Sequence, residues 1–272
     1  MLMAIGKLKE RVSTHSELTS TIDDVDVYIS KNGCSFRSGE KNIDFSVLPS
    51  SLPYQPLNVI QLKPEQTHLL PQNHSFAIHC LTGDIKIHGT NTCITLTEGE
   101  FVIWECPPTK ASVIQSSRQA QHYVAITDLH TAPQLPASNN EAFNLINVHS
   151  FNYAQRPNGI ILKSLLMGTC YEQTTGYEYV EMPPNQLITP HVHPNSDAIV
   201  IVTQGSGRFI AGNGSVQVKR WSHGIIPRGK LHGVIADAYG MTFISVQIPP
   251  IGEDGYIFFP DFVIPAETVE LE

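Results

Sequence analysis

Pro190-His191-Val192-His193-Pro194 sets two imidazoles two positions apart between prolines. In extended chain, residues i and i+2 project from one face, with Cα atoms roughly 6.6 Å apart. Both rings can then reach one ion at the metal–nitrogen distance of about 2.0–2.1 Å typical of imidazole ligands. The flanking prolines stiffen the approach and reduce the entropy lost on ordering the ligands. Downstream, Pro227-Arg228-Gly229-Lys230-Leu231-His232 brings a third imidazole after a turn. Twelve His in 272 residues would produce an H-x-H by chance about 0.5 times, but a P-x-G-x-x-H only about 0.06 times. Both in this order, separated by a hairpin, would be a rare accident. His191, His193 and His232 are therefore the candidate metal ligands. Three imidazoles leave positions open on a six-coordinate ion, which suits Fe, Mn, Ni or Co in the divalent state, or Zn with fewer ligands.

Other groups give weaker signals. Glu178, Tyr177, Tyr179 and Glu181 lie on a run that precedes the His pair, and strand alternation turns either the tyrosines or Glu178 inward. Glu178 or Tyr179 on the inner face could carry a proton as general acid or base. Gly205-Ser206-Gly207 and Gly212-Asn213-Gly214 are hairpin glycines, since no helix follows to present amides to a phosphate. Serines near His223 lack a nucleophile elbow. In the first half, His68, His74 and His79 form no i, i+2 pair and read as structural histidines.

The elements that must hold these residues are short. Ile5, Leu8 and Val12 have the spacing of a short amphipathic helix. After Asp23 the pattern changes to brief runs rich in Val, Ile, Phe and Thr, which read as strands. They are 25–29, 58–62, 76–81, 85–87, 94–96, 101–104 and 123–126. Residues 131–140 carry two Pro and no aromatic, marking a linker over 131–145. The rhythm resumes at 160–167, 176–182, 198–202, 208–211, 215–219, 233–236 and 241–248. Asn213-Gly214 predicts a two-residue hairpin turn. The tail after Pro249, with Phe258, Phe259 and Phe262, is expected to pack across a surface without regular structure. Ile78–Asp84 resembles Ile199–Gly205, and each is followed by an apolar run leading to proline, so the two halves look like a duplication.

Composition narrows the function. Charged residues are 15% and hydrophobic residues 41%, and the net charge is −8. A core of useful size follows, and a basic face for nucleic acid does not. The five Cys include no C-x-x-C pair, which argues against a disulfide scaffold or a thiolate zinc site. No apolar stretch approaches the length of a membrane span, and the first residues lack the core of a secretory signal. The expectation is a cytoplasmic protein without nucleic-acid or membrane partners.

The two histidine motifs resemble those of the cupin superfamily: H-x-H with an acidic residue three or four positions on and then Gly, followed by P-x-G-x-x-H. The resemblance covers residues 150–250 well and 55–130 weakly. It implies an all-β fold of two tandem jelly-roll barrels, a bicupin. Its parts would be an N-terminal helix and strand extension at 1–54, a barrel without metal ligands at 55–130, and a metal-binding barrel at 146–272. It also implies His191, His193 and His232 as ligands to one divalent ion per chain. The acidic ligand would be Asp197 in the three-residue spacing, whereas the four-residue spacing falls on Ala198. In the first barrel the matching positions are Leu69, Pro71, Ser75 and Ser112 or Val113, which cannot hold a metal. The implied function is a mononuclear metal enzyme acting on a small oxygen-rich organic molecule, led by dioxygenase chemistry. The alternatives are a metal-dependent isomerase or lyase and a non-catalytic sugar- or metabolite-binding bicupin. The aromatic tail points to a homodimer.

Overall fold

The computed structural model describes residues 9–12, 18–22, 25–29, 34–37, 57–62, 67–70, 74–89, 93–104, 113–116, 122–129, 143–156, 158–252, 255–264 and 268–270. All regular structure among them is β, so no described helix is long and apolar enough to cross a membrane. The chain divides into two compact units. The first takes up the described residues of 1–53 together with 154–164 and 176–272; the second comprises 54–153 and 165–175.

The second unit is built from β5 Leu57–Leu62, β6 Thr67–Leu69, β7 Phe76–Thr82, β8 Asp84–His88, β9 Cys93–Thr97, β10 Glu100–Trp104, β11 Val113–Ser116, β12 His122–Asp128 and β13 Phe143–Asn147. They form a five-stranded sheet in the order β13-β10-β7-β12-β5 and a four-stranded sheet in the order β6-β11-β8-β9. Ile78, Ile85, Ile87, Val102, Trp104 and Val124 fill its core. The histidines here are structural in their contacts. His74 bonds Asp128 at 2.6 Å. His79 lies edge-on to Phe101, and burial lowers its pKa to about 3.

The first unit opens with β1 Lys9–Val12, β2 Leu18–Ile22, β3 Val25–Ile29 and β4 Ser35–Arg37. It continues with β14 Ala154–Gln155, β15 Ile161–Ser164, β16 Gly176–Met182, β17 Leu187–Val192, β18 Asp197–Ala211 and β19 Gly214–Lys219. β20 His223–Ile226, β21 His232–Ile248, β22 Ile257–Phe258 and β23 Thr268–Glu270 complete it. Two long strands set its shape, β18 with 15 residues and β21 with 17. Residues 197–202 pair with the far half of β21, and residues 207–211 pair with 232–236. Each long strand therefore serves two faces. One face runs β15-β16-β21-β18-β20-β4, and the other runs β22-β17-β21-β18-β19-β23. This crossing of shared strands is the jelly-roll arrangement. The corner falls where the register shifts on either side of Gly205. Gly205 has φ +73°, and a Cβ there would meet the Gly240 carbonyl oxygen at 2.2 Å. No larger residue fits so close a backbone approach.

Several sequence expectations need correction. The N-terminal helix is absent where the structure describes it: Lys9–Val12 is a strand paired with β2, and residues 1–8 lie outside the described residues. Three spaced apolar residues cannot hold an isolated short helix against a waiting strand partner. The paired runs 198–202/208–211 and 233–236/241–248 are each one continuous strand. The β18–β19 turn residues are Gly212 and Asn213, since Ala211 pairs with Gly214. Only Gly212 carries the positive φ, +63°, as a type II′ turn requires. Residues 143–145, read as the end of a linker, belong to β13, and 130–142 lie outside the described residues. The tail does form regular structure, the short strands β22 and β23.

Candidate metal centre

The interior of the first unit follows strand parity. On β16, Glu178 and Val180 face inward, while Tyr179 points the other way, its ring 5.5 Å from the Lys163 ammonium. On β18, Ala198 and Val200 line the interior. Asp197, their neighbour, must point away. The inner side chains enclose a cavity of about 320 Å³. Its walls are mainly aliphatic and aromatic, among them Leu162, Val200, Phe209 and Phe243.

The three predicted histidines meet at this cavity. His191 lies near the end of β17 and stands directly across the ladder from His232, the first residue of β21. His193 follows two residues on. Ring centroids are 4.8 Å apart for His191–His193, 4.3 Å for His191–His232 and 4.5 Å for His193–His232. One ligand atom from each lies within 4.8 Å of the others, and the group could hold a metal ion. All three rings are buried.

Hydrogen bonding fixes which nitrogen is offered. His191 Nδ1 is 2.7 Å from the Thr189 carbonyl, and His232 Nδ1 is 2.8 Å from the Lys230 carbonyl. A carbonyl only accepts, so in each neutral ring Nδ1 carries the proton and Nε2 presents a lone pair. His193 has both ring nitrogens buried with no partner among the described residues. A buried nitrogen without a partner is costly, and a metal ion would satisfy it. Burial lowers the pKa of His191. It also lowers His193, to about 3, with His191 adding to the effect. His232 is held well below its usual range by burial and by its two neighbours. All three are neutral near pH 7, the form that binds metal. The donor set thus fits a borderline divalent ion.

Asp197 does not join them. It is 2% exposed, and its Oδ1 accepts the Arg228 backbone N–H at 2.9 Å. Oδ2 accepts Arg228 Nε–H at 2.9 Å and a second guanidinium N–H. The adjacent, inward-facing position belongs to Ala198, which brings no ligand atom. Asp197 instead clamps the turn that leads into His232, and the Gly229 N–H reinforces that clamp by donating to the His193 carbonyl at 2.7 Å.

Glu178 lies on the cavity wall as one of the two sequence alternatives allowed. Its Oε2 accepts from Gln247 Nε2 at 2.7 Å, and Gln247 also donates to Ser245 Oγ at 3.0 Å. Gly176 makes room for this amide, for a Cβ there would sit 2.2 Å from Gln247 Oε1. Burial raises the Glu178 pKa. The sequence reading missed Gln247, Tyr256 and Phe258. β22 pairs with β17 at His191 and Val192. Tyr256 thereby packs at 5.5 Å from the His191 ring and 5.1 Å from the His193 ring, and Phe258 at 5.5 Å from His191. No spacing rule links these aromatics to the histidines. Only the strand pairing does.

Fold and site together define a jelly-roll barrel with a cluster of three histidines on the wall of its cavity. Residues 173–261 match the cupin family model, described as "Cupin". No curated protein sequence matches the chain significantly. Among solved structures, a formate complex of Lactobacillus farciminis oxalate decarboxylase is similar in fold, with a TM-score of 0.59 at 13% identity. The alignment covers 92% of this chain and 90% of that one. A structure of Bacillus subtilis oxalate decarboxylase, described for its Mn(II) centres, has a TM-score of 0.57 at 12% identity, covering 92% and 80%. Salicylate 1,2-dioxygenase from Pseudaminobacter salicylatoxidans has a TM-score of 0.54 at 8% identity, covering 72% and 71%. At these identities the likeness is one of fold.

Proposed function

We propose that this chain is a two-barrel cupin that binds one divalent transition metal ion through His191, His193 and His232. We further propose that it is a metal-dependent enzyme acting on a small organic molecule, with dioxygenase chemistry as the leading class. The observation that carries this reading is the meeting of three neutral, buried imidazoles at a largely apolar cavity. Such an ion would supply Lewis-acid activation of a substrate oxygen and a binding position for O₂. The chain's own residues do the rest. The apolar walls exclude water and hold the substrate body, while Tyr256 and Phe258 flank the His end. Glu178, oriented by Gln247, is the candidate to accept or return a proton at its carboxylate. Ile257, Phe258 and Phe259, all exposed, support self-association as a homodimer, which sedimentation would test.

Metal analysis of protein purified without added metal, followed by O₂-uptake assays, tests the reading. The expected result is one ion per chain, lost in His232→Ala. Failure to bind any of Fe, Mn, Ni, Co or Zn on titration would overturn it.

A further inference from the structure

Two clusters of polar side chains line the cavity from opposite faces of the barrel. The histidines belong to the face containing β17 and the near half of β21. Glu178, Ser245 and Gln247 belong to the other, where Glu178 pairs with Ser245 across β16 and β21. Between them the wall is largely aliphatic, with Arg156, Asn158 and Thr189 as further polar lining residues, and Tyr256 reaches from the histidine rings to Glu178. Within the polar patch the bonding is uneven. Gln247 donates to Oε2 of Glu178 at 2.7 Å, whereas the one hydrogen bond to Oε1 among the described residues is the long one from the Tyr256 hydroxyl, at 3.5 Å, with the Arg156 charge acting on the carboxylate from nearby. A carboxylate oxygen facing an apolar cavity with one long bond has unused acceptor capacity.

We infer that Glu178 Oε1 is a specificity-determining acceptor for the ligand. It selects a compact, largely apolar molecule with an oxygen donor for the histidine centre at one end and an O–H or N–H donor at the other. Gln247 acts as a positioning residue: by holding Oε2 and bonding Ser245, it aims Oε1 into the cavity. A ligand donor there replaces the long Tyr256 contact with a short charge-assisted bond. A ligand with the same body and no donor leaves the carboxylate under-satisfied and is discriminated against, as happens wherever a buried acceptor loses its partner. This assignment rests on reading the cavity as the ligand site.

Benzoate and 3-hydroxybenzoate share a carboxylate and ring and differ by one donor. Their binding to Co(II)-loaded and to metal-free protein, measured by calorimetry, tests the inference. The hydroxylated probe should bind about tenfold more tightly to the wild type. Glu178→Gln should reduce that preference to threefold or less, and Glu178→Leu should abolish it. Thermal melting of each variant identifies any that is unfolded, and the wild-type comparison stands without them. A preference seen only without metal keeps the inference while removing the metal reading. No preference in the wild type, no binding of either probe, or a preference unchanged in Glu178→Gln would overturn the inference, even if the Co(II) spectrum showed the metal centre intact.

Discussion

Replacing Asp197 by Ala separates a metal ligand from a structural clamp. Asp197 is buried, and three N–H donors of Arg228 converge on its two oxygens. A hydrogen bond to a charged group is worth about 1.5–3 kcal/mol when both partners are shielded. The Arg228 side chain is 55% exposed, so water screens and partly replaces its contribution. A net loss of about 2–3 kcal/mol is expected, readable as a lower urea midpoint at constant slope. Metal affinity should change less than about threefold, because no Asp197 oxygen belongs to the three-histidine group. His191→Ala, His193→Ala and His232→Ala each remove one of three donors and should weaken binding by about a hundredfold or more. Arg228→Met provides the complement. It leaves a buried carboxylate with one backbone N–H, which should destabilise by about 3 kcal/mol, and the double variant should be no worse than Arg228→Met. Titration with Co(II), followed by its visible spectrum, reads affinity, and urea unfolding reads stability. If Asp197→Ala weakened metal binding as much as His232→Ala while leaving the urea midpoint unchanged, the clamp assignment would be refuted.

Acidification should destabilise the metal-free protein. His79 and His193 are lowered to about 3 by burial, so below the ordinary value of 6.5 the unfolded chain binds protons that the folded chain refuses. The stability is present above pH 6.5 and lost toward pH 3; each of the two groups should cost its own unit about 1 kcal/mol between pH 6.5 and 5.5. Urea midpoints that do not move over that interval would contradict it. Gly205→Ala forces a side chain into a positive-φ position against a carbonyl and should cost about 2 kcal/mol or more, seen as a lower melting temperature. Phe209→Ala removes a ring packed 5.1 Å from Phe36 and 5.8 Å from Phe243. It should cost about 3–5 kcal/mol, with unfolding of the first unit as the readout.

The three-histidine cluster and the fold class were legible in the sequence alone. Two-residue spacing on an extended chain places His191 and His193 on one side by covalent geometry, and the Pro227–His232 turn is equally local. Strand identity was legible for the same reason: Val25–Ile29 and Gly176–Met182 emerge with the bounds their composition predicted. Tertiary structure decided whatever depended on which face a residue met. Asp197 and Ala198 are adjacent, and only the register of β18 against β21 sends the carboxylate to Arg228 and the methyl to the cavity. The same parity took Tyr179 out of the site and kept Glu178 in. Tyr256 and Phe258 came to the histidines through the pairing of β22 with β17, strands that lie far apart in sequence. Spacing within a strand is covalent geometry, whereas the pairing of distant strands comes from packing the whole chain, and no local pattern encodes it.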